Sequence, residues 1–158
     1  MITIIAAVAK NNVIGFQGRI PWHLPQEFKH FKETTQGNVV VMGRKTFESL
    51  PAKFKPLPNR VNIVVSSSMP ETPKVVVCKD YETAIRRASE FNKEVFIIGG
   101  STLYKQALEN ADRMLLSIVE LEPEGDAFFP AFSEKEWVKA SETQRNGFKL
   151  VEYSRKKA

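Results

Sequence analysis

Cysteine occurs once, at Cys78, and histidine twice, at His23 and His30. A single thiol excludes an internal disulfide, and with no targeting segment a reducing cytosol is the expected compartment. Two separated histidines and one cysteine do not make a metal site, so no metal is expected. No apolar run approaches the length needed to cross a bilayer, so no membrane partner is expected. The start, "MITIIAAVAKNN", lacks the basic opening of a secretory signal and reads as a buried strand. Neither G-x-G-x-x-G nor G-x-x-x-x-G-K-[ST] occurs. The common dinucleotide fingerprint and the nucleotide triphosphatase loop are therefore absent. No nucleophile–base pairing calls for covalent catalysis, and there is no internal repeat, linker or low-complexity segment.

What remains is an ordinary globular composition, 42% hydrophobic and 26% charged over 158 residues. Residues 1–158 are expected to form one domain. The formal charge is +5 and the pI about 9.4. Basic residues are scattered apart from a C-terminal "SRKK". A small anionic ligand accounts for the charge, and no nucleic-acid partner is expected.

Apolar runs of strand length recur: "ITIIAAVA" (2–9), "NVVVMG" (38–43), "RVNIVVS" (60–66), "KVVVC" (74–78) and "EVFIIGG" (94–100). Runs apolar on both faces suit a parallel sheet covered by helices. Helical patterns lie between them. "DYETAIRRASEFN" (80–92) puts Tyr81, Ala84, Ile85, Ala88 and Phe91 on one face behind an Asp80 N-cap, and "STLYKQALENA" (101–111) does the same with Tyr104, Ala107, Leu108 and Ala111. After Asp112, "RMLLSIVEL" (113–121), "EWVKASE" (136–142) and "FKLVEYS" (148–154) read as strands without helices between them. The expected fold is a three-layer α/β sandwich, its central sheet mostly parallel with antiparallel C-terminal strands.

Ligands in such sheets bind beyond the carboxyl ends of the strands. Two strand-to-helix turns there suit phosphate. In "VFIIGGSTLY", Gly99 and Gly100 permit close backbone approach before a helix opened by Ser101. In "VVVMGRKTFESL", Arg44 and Lys45 sit at a helix start, where cations oppose the dipole unless an anion arrives. Either turn alone is equally compatible with a purely structural role. The stretch "IPWHLPQEFKHFK" (20–32) poses a different problem. At helical spacing Leu24, Phe28 and Phe31 form an apolar stripe, and Glu27 lies on its edge. An acid there either pairs with a neighbouring lysine at the surface or, if buried, needs hydrogen bonds from a cationic or amide-like heterocycle.

In this order and spacing, "IAAVAKNNVIG", "PWHLPQEFKHFK", "VVMGRKTFESL", "NIVVSS", "IIGGSTLY" and "EGDAFFP" resemble dihydrofolate reductases of the short bacterial type, from Ile2 to about Tyr153. The resemblance implies a cytoplasmic, monomeric enzyme that reduces 7,8-dihydrofolate to tetrahydrofolate with NADPH, in support of one-carbon metabolism, and that diaminopyrimidine antifolates inhibit. It implies Glu27 as the pterin-site acid, where bacterial members often carry aspartate. Trp22 and Ser117 hold water or hydrogen bonds around it, and Ile20 lies in a mobile loop, Gly15 to Leu24, tethered by Asp126. Ile5, Ala6, Ala7, Phe31 and Ile98 would form the pterin pocket, and Leu50 and Leu57 the walls around the aminobenzoyl ring. Arg60 would pair with the glutamate tail's α-carboxylate, assisted by Lys32. On the cofactor side stand Ala7, Ile14, Gly15, Gly43, Thr46, Ile98, Gly99, Gly100, Ser101, Thr102, Leu103 and Tyr104. Arg44, Lys45, Ser66, Ser67 and Lys79 would surround the 2′-phosphate. Ser101 and Thr102 depart from the glycine and arginine common there. Hydride would pass from nicotinamide C4 to pterin C6, and a water admitted by the loop would protonate N5. A related reductase, similar to the reductase domain of riboflavin biosynthesis, is the alternative, and a noncatalytic nucleotide-binding module the second. "PWHLPQEF" and Arg60 favour the first reading.

Overall fold

The computed structural model describes residues 1–156; Lys157, which closes the basic "SRKK" run, lies outside the described residues. In chain order the elements are β1 (Ile2–Ala9), β2 (Val13–Gly15), α1 (Pro25–Thr35), β3 (Val39–Gly43), α2 (Arg44–Ser49), a 3-10 turn (Ala52–Phe54), β4 (Val61–Val65), β5 (Val76–Cys78), α3 (Tyr81–Ser89), β6 (Val95–Gly99), α4 (Ser101–Ala107), β7 (Arg113–Val119), β8 (Ala127–Phe128), β9 (Trp137–Gln144) and β10 (Phe148–Arg155). Among the described residues the main sheet runs β5-β4-β3-β6-β1-β7-β10-β9. Every pairing from β5 to β7 is parallel, and β10 is antiparallel to both β7 and β9.

The continuous apolar runs become the inner parallel strands because both sheet faces are covered. Ile4, Ala6, Val41, Ile63 and Ile97 share one core cluster with Tyr81, Ala84 and Ala88 of α3 and Leu103 and Ala107 of α4. Ile5, Val40, Met42, Val64 and Phe96 belong to another cluster, where they meet Phe47 of α2 and Phe31 of α1. Each such aliphatic side chain withdrawn from water contributes about 1.5–3 kcal/mol. The Asp80 carboxylate caps α3 by accepting from the Thr83 N–H at 2.8 Å.

Several elements differ from the sequence reading. Helix α3 stops at Ser89 and α4 at Ala107, each short of the periodic pattern, and Asn92 turns the chain with φ +54°. Leu108 and Ala111 stay buried beyond the helix that was expected to carry them. β7 ends at Val119, leaving Leu121 exposed. The small β2–β8 ribbon was not foreseen. Gly125 stands against it so closely that an added Cβ would collide with the Val13 side chain and lie 3.0 Å from the Gly15 carbonyl.

The main correction concerns α1. Phe28, expected in the buried stripe, is 37% exposed, whereas Glu27 is only 6% exposed. The helix turns its 27–31–35 edge to the sheet. Phe31 is partly buried there, and Thr35 is fully buried with its hydroxyl donating to the Phe31 carbonyl at 2.9 Å.

Candidate active site

Pro25 stands in the first turn of α1 and the Leu24 carbonyl accepts the Glu27 N–H at 3.0 Å, so the turn that carries the acid is fixed by the chain itself. The carboxylate sinks against the middle of the sheet and makes no ion pair among the described residues. Burial pushes the Glu27 carboxyl up, and a hydrogen bond from the Ser117 hydroxyl opposes part of the rise. Ser117 is buried on β7, in register with Ala7 of β1. Trp22 packs with Ala7 and Leu24, and its indole N–H is buried without an acceptor among the described residues. Tyr104 is 4% exposed; its hydroxyl donates to the Ile5 carbonyl at 2.9 Å. Burial raises the phenol well above its ordinary range, and the nearby Glu27 charge adds to this. Ala6 is buried beside these groups on β1.

The cleft wall away from Glu27 is built from Phe31, Leu50, Leu57 and Ile98, which share one apolar cluster. Asn62 holds the loop before β4: its side-chain oxygen accepts the Leu57 N–H at 2.9 Å, and its amide donates to the carbonyls of Leu57 and Arg60 at 2.9 and 3.1 Å. Arg60 is half-buried. Its Nε donates to the Pro58 carbonyl at 3.0 Å, its Nη1 donates to the Thr35 hydroxyl at 2.9 Å, and the guanidinium lies 6.0 Å from the Phe31 ring centre. Its Nη2 has no partner among the described residues. Lys32 is exposed one residue beyond Phe31. His30, read as a surface residue, is partly buried; burial and nearby Arg145 lower its pKa against the pull of Glu33.

The two turns singled out for phosphate meet in space. A Cβ on Gly99 would lie 3.2 Å from the Thr46 Oγ1, and one on Gly43 would lie 3.8 Å from the Gly100 nitrogen. Gly99 has φ +133°, a backbone that side chains disfavour, and the Gly99–Gly100 peptide is cis. Neither α2 nor α4 has a side-chain cap, so both first turns face this cradle with free N–H groups. Ser101 is partly buried, Thr102 exposed and Leu103 buried. The Arg44 cation is balanced in the structure: it pairs with Glu48 at 2.8 Å and donates to the Ser68 hydroxyl at 2.7 Å. Lys45, Ser67 and Lys79 are exposed nearby in sequence, while the Ser66 hydroxyl is occupied accepting from the Met69 N–H at 3.0 Å.

The segment after β2 leaves Ile20 48% exposed. Phe16, Gln17, Arg19, Ile20 and Pro21 line a space of about 500 Å³. Gln17 and Gly18 both have positive φ. The Asp126 carboxylate accepts the Gln17 N–H at 3.0 Å, and the Asp126 N–H donates to the Gly15 carbonyl at 3.0 Å. Ile14 packs partly buried against the core.

The family model for dihydrofolate reductase matches residues 1–155. The chain belongs to the dihydrofolate reductase family. It is 39% identical to dihydrofolate reductase HdrB of Haloferax volcanii, over 97% of this chain and 82% of that one. It is 42% identical to dihydrofolate reductase of Haemophilus influenzae, over 85% and 82%. Among solved structures it resembles dihydrofolate reductase from Enterococcus faecalis complexed with NADP(H) and RAB-propyl, with TM-score 0.89 at 32% identity, covering 99% and 97% of the two chains.

Within a dihydrofolate reductase frame, three contributors escaped the sequence reading. Ser68, rather than Ser67, is bonded to Arg44. Asn62 ties down the loop that presents Leu57 and Arg60, and its signal was a lone amide inside the apolar run "RVNIVVS". Phe28 is the aromatic that α1 leaves in the open, tilted 5.8 Å from the His23 ring.

Proposed function

We propose that this dihydrofolate reductase family member, read as one domain over residues 1–158, reduces 7,8-dihydrofolate to 5,6,7,8-tetrahydrofolate with NADPH, as a cytoplasmic monomer. The observation that carries the reading is Glu27, a carboxylate only 6% exposed and without an ion-pair partner among the described residues. A buried acid of this kind needs a ligand that is cationic or donates hydrogen bonds side by side. The pterin ring's N3 and 2-amino group supply such donors, and so do diaminopyrimidine antifolates.

NADPH supplies the hydride for C6. The glycine cradle of Gly43, Gly99 and Gly100 has room for its pyrophosphate beside Thr46, and Arg44 with Ser68 stands where the 2′-phosphate would be read. Glu27 orients the pterin and favours the cationic, N5-protonated substrate electrostatically. Trp22 and Ser117 keep the carboxylate's rotamer and its water in place. Arg60 holds the tail carboxylate through its free edge. The Ile20 segment, latched by Asp126, closes over the ring and excludes bulk water while admitting the proton donor. Positioning and charge stabilisation supply most of the rate.

The test is a spectrophotometric assay: NADPH absorbance should fall on addition of dihydrofolate and stop when either reactant is exhausted. Purified, folded protein that binds NADPH but consumes none with dihydrofolate would overturn the assignment.

A further inference from the structure

From Ser49 to Pro70 the chain carries Lys53, Lys55 and Arg60 and no acidic residue. The arc between Leu50 and Leu57 protrudes between two side chains anchored in the cleft wall, and Lys53, Phe54 and Lys55 on it are exposed. The Lys53 ammonium lies 5.1 Å from the Phe54 ring centre. Lys55 donates to the Glu48 carbonyl at 3.0 Å and lies 6.0 Å from the Phe47 ring centre, so it is held at the end of α2 without a counter-charge. Across the wall, α1 presents Lys32 beside Phe31, over which Arg60 is laid.

None of these four cations meets a carboxylate among the described residues, whereas Lys29, on the outer side of the same helix, pairs with Glu33, and Arg44 pairs with Glu48. The substrate's first α-carboxylate accounts for Arg60 alone. We infer that Lys53 and Lys55, with Lys32, form a rim subsite for further carboxylates, so that the preferred substrate carries a γ-linked tail of more than one glutamyl unit. The inference rests on the dihydrofolate reading and extends it to the length and charge of the tail. Each added γ-glutamyl unit brings one further carboxylate on a flexible chain, which suits mobile ammonium groups better than a rigid fork.

The experiment compares kcat/KM for dihydrofolate with one and with three γ-linked glutamates, at low and at high salt, on the full chain. An exposed pair is worth about two- to fivefold, so the parent should prefer the triglutamyl substrate by about three- to tenfold at low salt. Salt should shrink the preference. K53Q/K55Q should bring the ratio close to one, K53R/K55R should retain it, and the distant charge change K93Q/K135Q should leave it alone. A parent ratio near one, or a K53Q/K55Q ratio equal to the parent's, would overturn the subsite. No turnover of the monoglutamyl substrate would overturn the reductase reading instead, and the subsite with it.

Discussion

Replacing Glu27 by glutamine keeps the size of the side chain and removes its charge. The structure sets the magnitude. The carboxylate is 6% exposed and meets no cation of the described protein, so the substrate is its only counter-charge. At an effective dielectric of about 20, a charge roughly 6–8 Å away contributes about 2–3 kcal/mol. A charge-assisted hydrogen bond to the ring adds about 1–2 kcal/mol over its neutral counterpart. Hydride transfer at neutral pH should therefore fall by roughly two to three orders of magnitude. NADPH affinity should hold, because the phosphate cradle lies at Gly43, Gly99 and Thr46. Without the counter-charge the substrate protonates only at lower pH, so acid should restore part of the rate. Stability should move the other way. The folded-state pKa of Glu27 is raised, so the folded chain binds more protons than the unfolded one between the two values, and its stability declines as pH rises through the folded pKa. The uncharged amide escapes that decline. The variant should melt higher than the parent at neutral pH, and the gap should close below the unfolded carboxyl value of about 4.3. Single-turnover hydride transfer and thermal melting against pH test both halves. Equal hydride rates for the two proteins at neutral pH would refute the catalytic role and return Glu27 to an incidental acid.

Arg44→Leu should narrow the NADPH/NADH ratio of kcat/KM by about tenfold or more, since a charged hydrogen bond to phosphate is worth about 1.5–3 kcal/mol; an unchanged ratio would count against the 2′-phosphate placement. Arg60→Leu should weaken dihydrofolate and glutamate-tailed antifolates by about tenfold or more on the same magnitude while sparing small diaminopyrimidines, and titrations with both ligand types will show equal losses if Arg60 is only a brace for Thr35 and Pro58. Gly125→Ala should lower stability by about 1–3 kcal/mol, because its methyl group meets Val13; an unshifted denaturation midpoint would mean that the β2–β8 ribbon yields freely.

The strands of the sheet were legible because runs such as "VVVMG" and "VFIIG" are apolar on both sides, a pattern that few other environments reward. The α3 cap was legible because Asp80 precedes a periodic segment. The ribbon was not, since three residues and two residues carry no period. Phe28 failed for a physical reason: a helix with apolar residues on two adjoining edges does not reveal which one meets the sheet, and here Phe31 and Thr35 align with the acid instead. For the site, the residue types at the two glycine turns could be read separately, but their approach to within van der Waals contact follows from β3 and β6 being neighbours, which is a property of strand order. Ser68 and Asn62 serve through hydrogen bonds set by loop conformation, and such bonds leave almost no trace in spacing.

The Tyr104 hydroxyl bonded to the Ile5 carbonyl joins two regions that would otherwise answer to different molecules. Tyr104 belongs to the first turns of α4, which begins at the phosphate cradle, and Ile5 belongs to the strand beneath the pterin. A shift of α4 on taking up phosphate is transmitted to the floor of the other pocket through one short, water-excluded link. Thermodynamic reciprocity then requires any effect of the first occupant on the second to be returned in equal measure. In this fold the order of arrival can alter the path taken, while the free energy of the doubly occupied state stays the same.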